Sequence, residues 1–522
     1  MTLFKPKHIS LSIGILVTLL ILLPLFYLLI YAIPDGKQVT SDGFSNIFSA
    51  GILKSIFNSV TISAFVSTFS VIIGSCFAFL FSKTRLPFKN LFKFLILLPL
   101  LLPPYIFAVA WTDTWFYFGL DRDLIYSPFS VIFIMISVYT PLAAFIIEGS
   151  LNNISSSIEE AGVTMTSYTN VMLKVIIPLI RPALLSSFIV IFVLTISEFS
   201  VPFYLSVNVF PTEIFLQFTA FYNYSSAIVQ ALILTLICLL LIFPERIFLA
   251  GTPFISIGGR SLRFKSISHK TDFKYIILCL AYILLFVLTP FISLIIQSIG
   301  KSGEPSILYT IKQLSPSLWD SLLISFAGSF VVTLSGFIFA VLSVRYRIKI
   351  AGYFLLFVFA VPAIVIGIAL VKFYNTSLFN FIYGSSLIIL IAFIARYAFI
   401  SQKIFTNGLL QIPESFQEAA KLTGASHFYT FRKITMPLLG ESFYISFFII
   451  MIFCVSELTS VIMIYPPGIS LLPVRIFTLM ANAPQSTISR MCLIALGFSL
   501  GLIVIMISGR KILFSQKWRS NQ

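Results

Sequence analysis

Three ionisable side chains lie within or beside long apolar segments of this 522-residue chain, and their types could do chemistry. Glu198 and Glu457 each follow a serine near the end of such a segment, and Arg396 lies within another. A charge in apolar surroundings is costly, so it usually faces a cavity or a partner. Paired carboxylates offer the oxygen ligands that hard cations such as Fe³⁺ prefer. We therefore expect Glu198 and Glu457 to line a pathway, with Tyr105 and Tyr204 as neighbouring candidates.

A structural alternative exists for each of these charges. The two glutamates could instead cap helices or satisfy backbone groups at the outer end of a span. Arg396 is expected to pair with an acid or to reach the cytoplasmic boundary of the membrane with its long side chain.

Other reactive residue types form no recognisable site. The histidines are scattered, and the cysteines fall inside apolar segments without zinc or disulfide spacing, which predicts buried packing roles. Gly300-Lys301-Ser302 ends like a phosphate-binding loop, but Ile295 stands where that loop needs a glycine. The sequence therefore predicts no catalytic site, no confident metal site and no cofactor bound by this chain.

The apolar segments predict an all-α polytopic membrane protein. Hydrophobic residues make up 58% of the chain and charged residues 10%. A bilayer core requires about 20 apolar residues per helix. Twelve stretches qualify, and the first predicts an anchor rather than a cleaved signal peptide. They are 11–33, 59–82, 93–112, 126–147, 183–205, 227–249, 274–299, 321–344, 352–372, 384–404, 441–465 and 488–509.

The charges between these spans alternate in sign. Basic residues cluster before the first span and after even-numbered spans, whereas acidic residues such as Asp113, Asp121 and Glu213 lie in the opposite loops. This positive-inside pattern predicts that both termini lie in the cytoplasm. The net charge of +16 is therefore assigned to membrane topology and lipid contact, not to nucleic acid, which would require one concentrated basic surface.

The chain also repeats itself. Eight residues of the second span, from Ser59 to Arg85, have identical or similar counterparts 262 positions later, and the offset then becomes 259. Glu198 corresponds in this way to Glu457. An even number of spans per copy predicts two parallel six-helix modules. We predict modules at 1–250 and 274–522, joined by a basic cytoplasmic linker at 251–273.

A cytoplasmic loop recurs in both modules. The second copy, 418–437, contains Glu418-Ala419-Ala420, then Gly424, and ends in Ile434, Met436 and Pro437. The first copy, 159–178, has Glu159-Glu160-Ala161, Met165 in place of the glycine, and Pro178. A second register, which aligns Glu160 with Glu418, preserves Glu-Ala and shifts the proline by one. The alternative is that this loop is an ordinary amphipathic linker helix.

This loop resembles the EAA loop of ABC importer permeases, with methionine replacing leucine at 436. The segments around Leu98-Pro99 to Ala108 and around Ser456-Glu457 to Ile476 resemble fused ferric-iron permeases. The resemblance implies an early glutamate that pairs with an arginine of an ATPase, a glycine that ends the loop helix, and a proline in the next helical turn.

The resemblance further implies a function and its partners. The chain would translocate ferric iron across the inner membrane without being an enzyme itself. ATP would act through two copies of a separate ATPase that grip the two loops, and a periplasmic or lipid-anchored binding protein would deliver the substrate. Alternatives are thiamine, polyamine or phosphonate import, or a secondary transporter, which would need no EAA loops.

Overall fold

The structure is a computed structural model that describes residues 6–32, 49–248, 273–299 and 306–519. Every regular element within these ranges is a helix, as the sequence predicts. The predicted linker, apart from its last residue, and the Gly300-Lys301-Ser302 segment lie outside the described residues. The proposed module boundaries therefore stay a prediction.

The helices of the first half are α1 (Pro6–Ala32), α2 (Ala50–Lys83), α3 (Lys89–Leu97), α4 (Pro104–Tyr117), α5 (Arg122–Ile125), α6 (Pro128–Leu151), α7 (Ser156–Met165), α8 (Tyr168–Val171), α9 (Ile177–Ile196), α10 (Ser200–Tyr204), α11 (Phe210–Thr219) and α12 (Tyr224–Phe248). A 3-10 turn, Leu98–Leu101, follows α3, and a π-helical segment, Met172–Ile176, precedes α9.

Those of the second half are α13 (Phe273–Ile283), α14 (Thr289–Ser298), α15 (Ile307–Val344), α16 (Lys349–Ala360), α17 (Ala363–Tyr374), α18 (Asn380–Tyr383), α19 (Leu387–Leu410), α20 (Glu414–Leu422), α21 (His427–Thr430), α22 (Met436–Leu438), α23 (Gly440–Ser456), α24 (Val461–Ile464), α25 (Leu472–Leu479) and α26 (Gln485–Arg519). Two further π-helical segments are Leu284–Leu288 and Phe431–Thr435.

The number of candidate spans agrees with the sequence. Among the described residues, nine helices are long and apolar enough to cross a membrane, or up to twelve if each of three bent pairs is one span. The fifth predicted span is misplaced, because its helix runs from Tyr168 to Ile196 rather than over 183–205. The eleventh ends at Ser456, well before the predicted position 465.

Two predicted spans are broken at equivalent prolines. The pair Lys89–Leu101 with α4 and the pair α16 with α17 are each bent by 99°. A residue before proline disfavours the helical conformation. Accordingly Leu102 has φ −112° and ψ 151°, and Val361 has φ −70° and ψ 126°. Hydropathy predicted continuous spans here, and the structure has two short helices at each place instead.

Prolines also account for the three π-helical segments. Each segment ends two residues before a proline, namely Pro178, Pro290 or Pro437. Proline donates no N–H and crowds the carbonyl four residues earlier, and a wider turn accommodates this crowding. Pro178 and Pro437 occupy the first turn of the helices that follow, as predicted.

Matching hydrogen bonds show that the two halves are structural repeats. The Ser59 hydroxyl accepts a hydrogen bond from the backbone N–H of Phe210, over 2.7 Å. The Ser321 hydroxyl accepts one from the backbone N–H of Leu472, also over 2.7 Å. Both residues of the second pair lie 262 positions after those of the first. The repeat predicted from sequence is therefore present in side-chain contacts.

Two glycines allow close helix contact in both halves, and they also correct the predicted register. A Cβ atom on Gly74 of α2 would lie 2.6 Å from Ala143 Cβ of α6. A Cβ atom on Gly336 of α15 would lie 2.4 Å from Ser401 Cβ of α19. Ala143 and Ser401 are 258 positions apart, so the offset of 259 does not hold across α6 and α19. The second half therefore has one residue fewer before α19 than the offset of 259 requires, and it regains that residue after its loop helix.

The first helix of each half packs on the other half. Helix α1 packs against α15 and α17, whereas α13 and α14 pack against α3 and α4. The Tyr374 hydroxyl donates to the carbonyl of Leu20 over 2.9 Å, and the Tyr282 hydroxyl donates to that of Ser137 over 3.3 Å. A large apolar core contains residues from both halves. The halves are therefore interlocked.

Candidate coupling and translocation sites

The first loop helix, α7, is fixed to the membrane helices by a buried ion pair. The Ser155 hydroxyl accepts a hydrogen bond from the backbone N–H of Ser157 over 3.2 Å and caps the helix. The Glu159 carboxylate pairs with the Lys83 ammonium at the end of α2. The side chains are 0% and 1% exposed, respectively. The expectation that the first glutamate of the loop faces a partner is therefore wrong for Glu159.

Exposure and spacing favour the second register for this loop. Glu160 and Glu418 are both exposed, and so are the alanines that follow them, Ala161 and Ala419. The offset between these pairs is 258, the same as between α6 and α19. At the next helix the offset is 259 again, because the second loop has one extra residue in its turn. Glu160, rather than Glu159, is therefore the structural counterpart of Glu418.

The second loop helix, α20, ends as the sequence predicts. Gly424 has φ +74°, a left-handed conformation that favours glycine. The backbone N–H of Ala425 donates to the carbonyl of Ala420 over 3.0 Å, which satisfies an otherwise unpaired helix-end group. The first loop ends differently, with Thr166 extended at φ −157°. No left-handed residue is needed there, which explains why Met165 is tolerated.

Both loop helices expose large apolar side chains. Ile158 and Met165 are exposed on α7 and just at its end, and Phe416 and Leu422 are exposed on α20. Met165 is 87% exposed and Leu422 is 89% exposed. Exposed apolar patches are typical of interaction sites. We call these four residues with Glu160 and Glu418 the coupling surface.

The ion pair of the first loop helix has no equivalent at the corresponding positions of the second half. Arg345 of the second half corresponds to Lys83 at the offset of 262, and its Nε and Nη2 atoms are buried without a hydrogen-bond partner. The residue that corresponds to Glu159 at the offset of 258 is the uncharged Gln417. An ion pair like that between Lys83 and Glu159 is therefore impossible between these two positions.

Glu457 is fully engaged inside the second half. One carboxylate oxygen accepts hydrogen bonds from the backbone N–H and the hydroxyl of Ser460, over 2.9 and 2.8 Å. The other oxygen accepts a hydrogen bond from the Tyr397 hydroxyl. Arg396 Nε lies 3.9 Å from that oxygen. The predicted pairing of Arg396 with an acid is therefore confirmed, and the capping alternative holds for Glu457.

Glu198 is engaged by the first turn of α10. One carboxylate oxygen accepts hydrogen bonds from the backbone N–H of Ser200, over 2.9 Å, and from the Ser200 hydroxyl, and the backbone N–H of Val201 also donates to the carboxylate. The carboxylate also lines a small cavity together with Ser63 and Thr195. Both hydroxyls are buried without a hydrogen-bond partner. Glu198 therefore caps a helix and borders a small, mainly apolar cavity.

The two glutamates approach each other where the halves meet. Glu198 lies within electrostatic range of Glu457. Tyr139 lies near both carboxylates and near Arg396. The structure thus brings together the charged residues that the sequence singled out, with Arg396 beside Glu457.

A second polar cluster, which the sequence analysis did not identify, joins the halves. The buried Asp113 of α4 accepts hydrogen bonds from the Ser489 hydroxyl, over 2.9 Å, and from the Gln485 amide, both on α26. The candidate Tyr204 contacts Gln485, and Tyr105 is buried near Cys492 of the same helix. These tyrosines are therefore associated with the Asp113 cluster. Asp113, which was predicted to lie in an outer loop, instead makes a contact between helices.

The remaining reactive residue types are the cysteines and the possible metal ligands. Cys76 is exposed, so a buried packing role is wrong for it, whereas Cys238, Cys279, Cys454 and Cys492 are buried as predicted. Within the described ranges, no three His, Cys, Asp or Glu side chains are placed to hold a metal ion together.

Comparison with known proteins defines the class. Residues 332–513 match the family described as "Binding-protein-dependent transport system inner membrane component". The matched segment includes α20 and its EAA sequence. The chain therefore carries an importer permease domain and is an inner-membrane permease component of an ABC importer.

Relatives named for ferric iron extend the similarity to both halves. The chain is 26% identical over 465 residues to the ferric transport system permease protein FbpB of Actinobacillus pleuropneumoniae, covering 82% of this chain and 67% of the relative. It is 23% identical over 507 residues to the Fe(3+)-transport system permease protein FbpB 2 of Haemophilus influenzae, covering 93% and 95%. The predicted resemblance to ferric-iron permeases is confirmed.

A shorter match concerns another cargo. Over 180 residues the chain is 29% identical to a putative 2-aminoethylphosphonate transport system permease protein of Salmonella typhi, covering 32% of this chain and 66% of the relative.

Proposed function

We propose that this chain imports ferric iron across the inner membrane, driven by ATP that a separate subunit hydrolyses. The observation that carries the ATPase part is the pair of loop helices, each with an exposed Glu-Ala pair and exposed apolar side chains. The choice of ferric iron as the transported substrate is supported by the names of the relatives that match most of the chain.

The coupling surface fits two copies of one partner. Glu160 and Glu418 lie at equivalent positions, so each would pair with the same basic side chain on one copy of an ATPase. The apolar residues beside them would enter a groove. Two ATPases that close on ATP would move both helices, and the interlocked halves would change their packing together.

The remaining parts of the proposal follow from topology. The basic residues before α1 and at the end of α26 favour a cytoplasmic location for both termini. A periplasmic or lipid-anchored binding protein would then deliver Fe³⁺ to the opposite face.

A matched pair of glycine substitutions tests coupling to an ATPase. Gly424 and Gly119 both have positive φ, and a Cβ atom added to either would have no neighbouring atom within 4 Å. Gly424→Asp is expected to abolish co-purification with the partner ATPase and to abolish iron uptake by cells. Gly119→Asp, in the loop on the opposite side, is expected to preserve both. Equal behaviour of the two variants would refute the proposed coupling surface.

The phosphonate-type relative and the thiamine alternative define a second cargo candidate. We expect the associated binding protein to bind Fe³⁺ and not 2-aminoethylphosphonate or thiamine. Tight binding of either organic compound, with no binding of Fe³⁺, would replace the cargo assignment and leave the coupling assignment intact.

A further inference from the structure

We propose that two matching contacts between the halves form a latch at the outer end of the import pathway, and that both contacts open during each transport cycle. One contact joins Asp113 of the first half to α26, and the other joins Lys372 of the second half to α12. The inference rests on the proposed ATP-driven import, and it adds which residues close the pathway toward the outside.

The two contacts are made by equivalent residues. Lys372 lies 259 positions after Asp113, the offset that relates the two broken spans. Each residue stands near the end of the second arm of its broken span, α17 or α4. Each also contacts the residue that begins the last long helix of the opposite half, Tyr224 of α12 or Gln485 of α26. The repeat therefore builds the same contact between the halves twice, with different chemistry.

The first contact is made through hydrogen bonds. Asp113 is 2% exposed, and it accepts hydrogen bonds from the Gln485 amide and, over 2.9 Å, from the Ser489 hydroxyl. Burying a carboxylate removes its hydration, and the two hydrogen bonds offset part of that cost. If α4 and α26 separated, water would take the place of both donors. Such a contact opens more easily than an apolar contact of the same area, because water solvates the separated groups.

The second contact is made through aromatic rings. The Lys372 ammonium lies 3.5 Å from the centroid of the Tyr224 ring, and the rings of Tyr31 and Phe218 are 5.3 and 5.8 Å away. All three rings belong to the first half. A ring face attracts a cation, and water would again solvate the ammonium if the halves separated. Both contacts therefore join the halves through a group that can be charged and that water stabilises on opening.

Helix length gives the level of the latch in the membrane. In α26, 25 positions separate Gln485 from Arg510. This distance is about 38 Å along a helix, more than the bilayer core of about 30 Å. With Arg510 and Lys511 on the cytoplasmic side, as the positive-inside pattern favours, Gln485 lies at the outer boundary. Tyr224 begins the corresponding helix of the first half. A pathway between the halves that receives cargo from outside must separate them at this level.

Labelling of a native cysteine tests the latch without any transport. Cys492 is buried and lies seven positions after Gln485, about 10 Å deeper along α26. The intact chain is placed in lipid nanodiscs with the exposed Cys76 replaced by serine. Asp113→Ala should speed labelling of Cys492 by a water-soluble maleimide at least about tenfold, because it raises the population of the open state. Lys372→Met should speed it as well, because both contacts close the same opening.

The other buried cysteines separate opening from general loosening. Cys279 and Cys454 are buried and are not next to either contact, so mass spectrometry of the labelled peptides should find them unmodified in both variants. Unchanged labelling of Cys492 in either variant would overturn the latch. Labelling of Cys279 and Cys454 that rises as much as that of Cys492 would also overturn it, since this result indicates a purely structural role.

A reversible cross-link tests whether opening is required for import. Asp113→Cys is combined with Ser489→Cys in the same Cys76→Ser background. The variant is placed in sealed vesicles with the partner ATPase and the loaded binding protein. Oxidation should join the two thiols and abolish ATP-driven iron uptake, and a reductant should restore uptake. Uptake that continues at the reduced rate after oxidation would overturn the latch.

A matched pair of cysteines joins the halves outside the latch. Tyr27 of α1 and Phe373 of α17 have ring centroids 5.7 Å apart, and α1 packs on the second half. Tyr27→Cys with Phe373→Cys, joined by a short bifunctional thiol reagent, should retain uptake. Equal loss of uptake in both cross-linked pairs would overturn the latch. Absence of ATP-driven uptake in the wild type would instead refute the proposed import, and labelling of Cys492 would still test the latch.

Discussion

The buried ion pair between Lys83 and Glu159 makes a quantitative prediction about the first loop helix. Both side chains are shielded from solvent. Lys83→Met removes the ammonium and leaves a buried carboxylate without a counter-charge. Breaking a buried pair in this way costs about 3–5 kcal/mol. Since α7 touches the membrane helices through this pair, we expect most of that cost to appear as local opening of α7.

Hydrogen exchange measures this opening directly. A change of about 1.4 kcal/mol corresponds to a factor of ten, so the amides of α7 should exchange roughly 100 to 4,000 times faster in Lys83→Met. The double variant Lys83→Met with Glu159→Leu replaces both charges by apolar groups. It should recover most of the lost protection, because removing both partners of a buried pair is often close to neutral.

The second half supplies a matched control. Arg345 occupies the position of Lys83, and its buried Nε and Nη2 atoms have no hydrogen-bond partner. Arg345→Met should therefore change exchange in α20 by less than about tenfold. Equal acceleration of exchange in α7 and α20, or no rescue in the double variant, would refute the claim of unequal anchoring.

Three further substitutions test contacts that position the sites. Gly336→Ala should lower stability by about 1–3 kcal/mol through the clash with Ser401, whereas Gly497→Ala, with no atom within 4 Å, should not; equal thermal unfolding of the two would contradict the packing. Asp113→Ala should cost about 1–3 kcal/mol by removing the acceptor of two interhelical hydrogen bonds, and Asp113→Asn should cost less in the same assay. Gly424→Ala places a side chain at φ +74° and should cost about 1–2 kcal/mol locally, seen as faster exchange at the end of α20; normal protection would exclude strain there.

Much of the fold could be predicted because it depends on local composition. Apolar segments of sufficient length predicted the spans, and repeated residues such as Ser59 and Ser321 predicted equivalent contacts. Gly424 predicted the helix end because few other residues adopt a left-handed conformation easily. Hydropathy could not predict the 99° bends, since it averages over Leu102 and the proline that follows.

The one-residue shift between α6 and α19 was missed for a different reason. The second half lacks one residue before α19 and gains one after its loop helix, so the residues on either side stay in register. Glu159 was therefore aligned with Glu418, although Glu160 is the structural counterpart. Contacts between residues that lie far apart in the sequence could not be predicted either. Asp113 meets Ser489 on a helix of the other half, and no local pattern connects them. Glu198, Glu457 and Arg396 could be identified from the sequence because ionisable residues are rare in apolar segments.

Iron uptake into sealed vesicles tests the central claim most directly. The vesicles contain the intact chain and its partner ATPase, with the binding protein loaded with radioactive Fe³⁺ on the outer face. We expect uptake that requires ATP on the ATPase side and is lost in Gly424→Asp but retained in Gly119→Asp. Uptake that proceeds without ATP, or that is driven by an ion gradient and is equally active in both variants, would contradict the account.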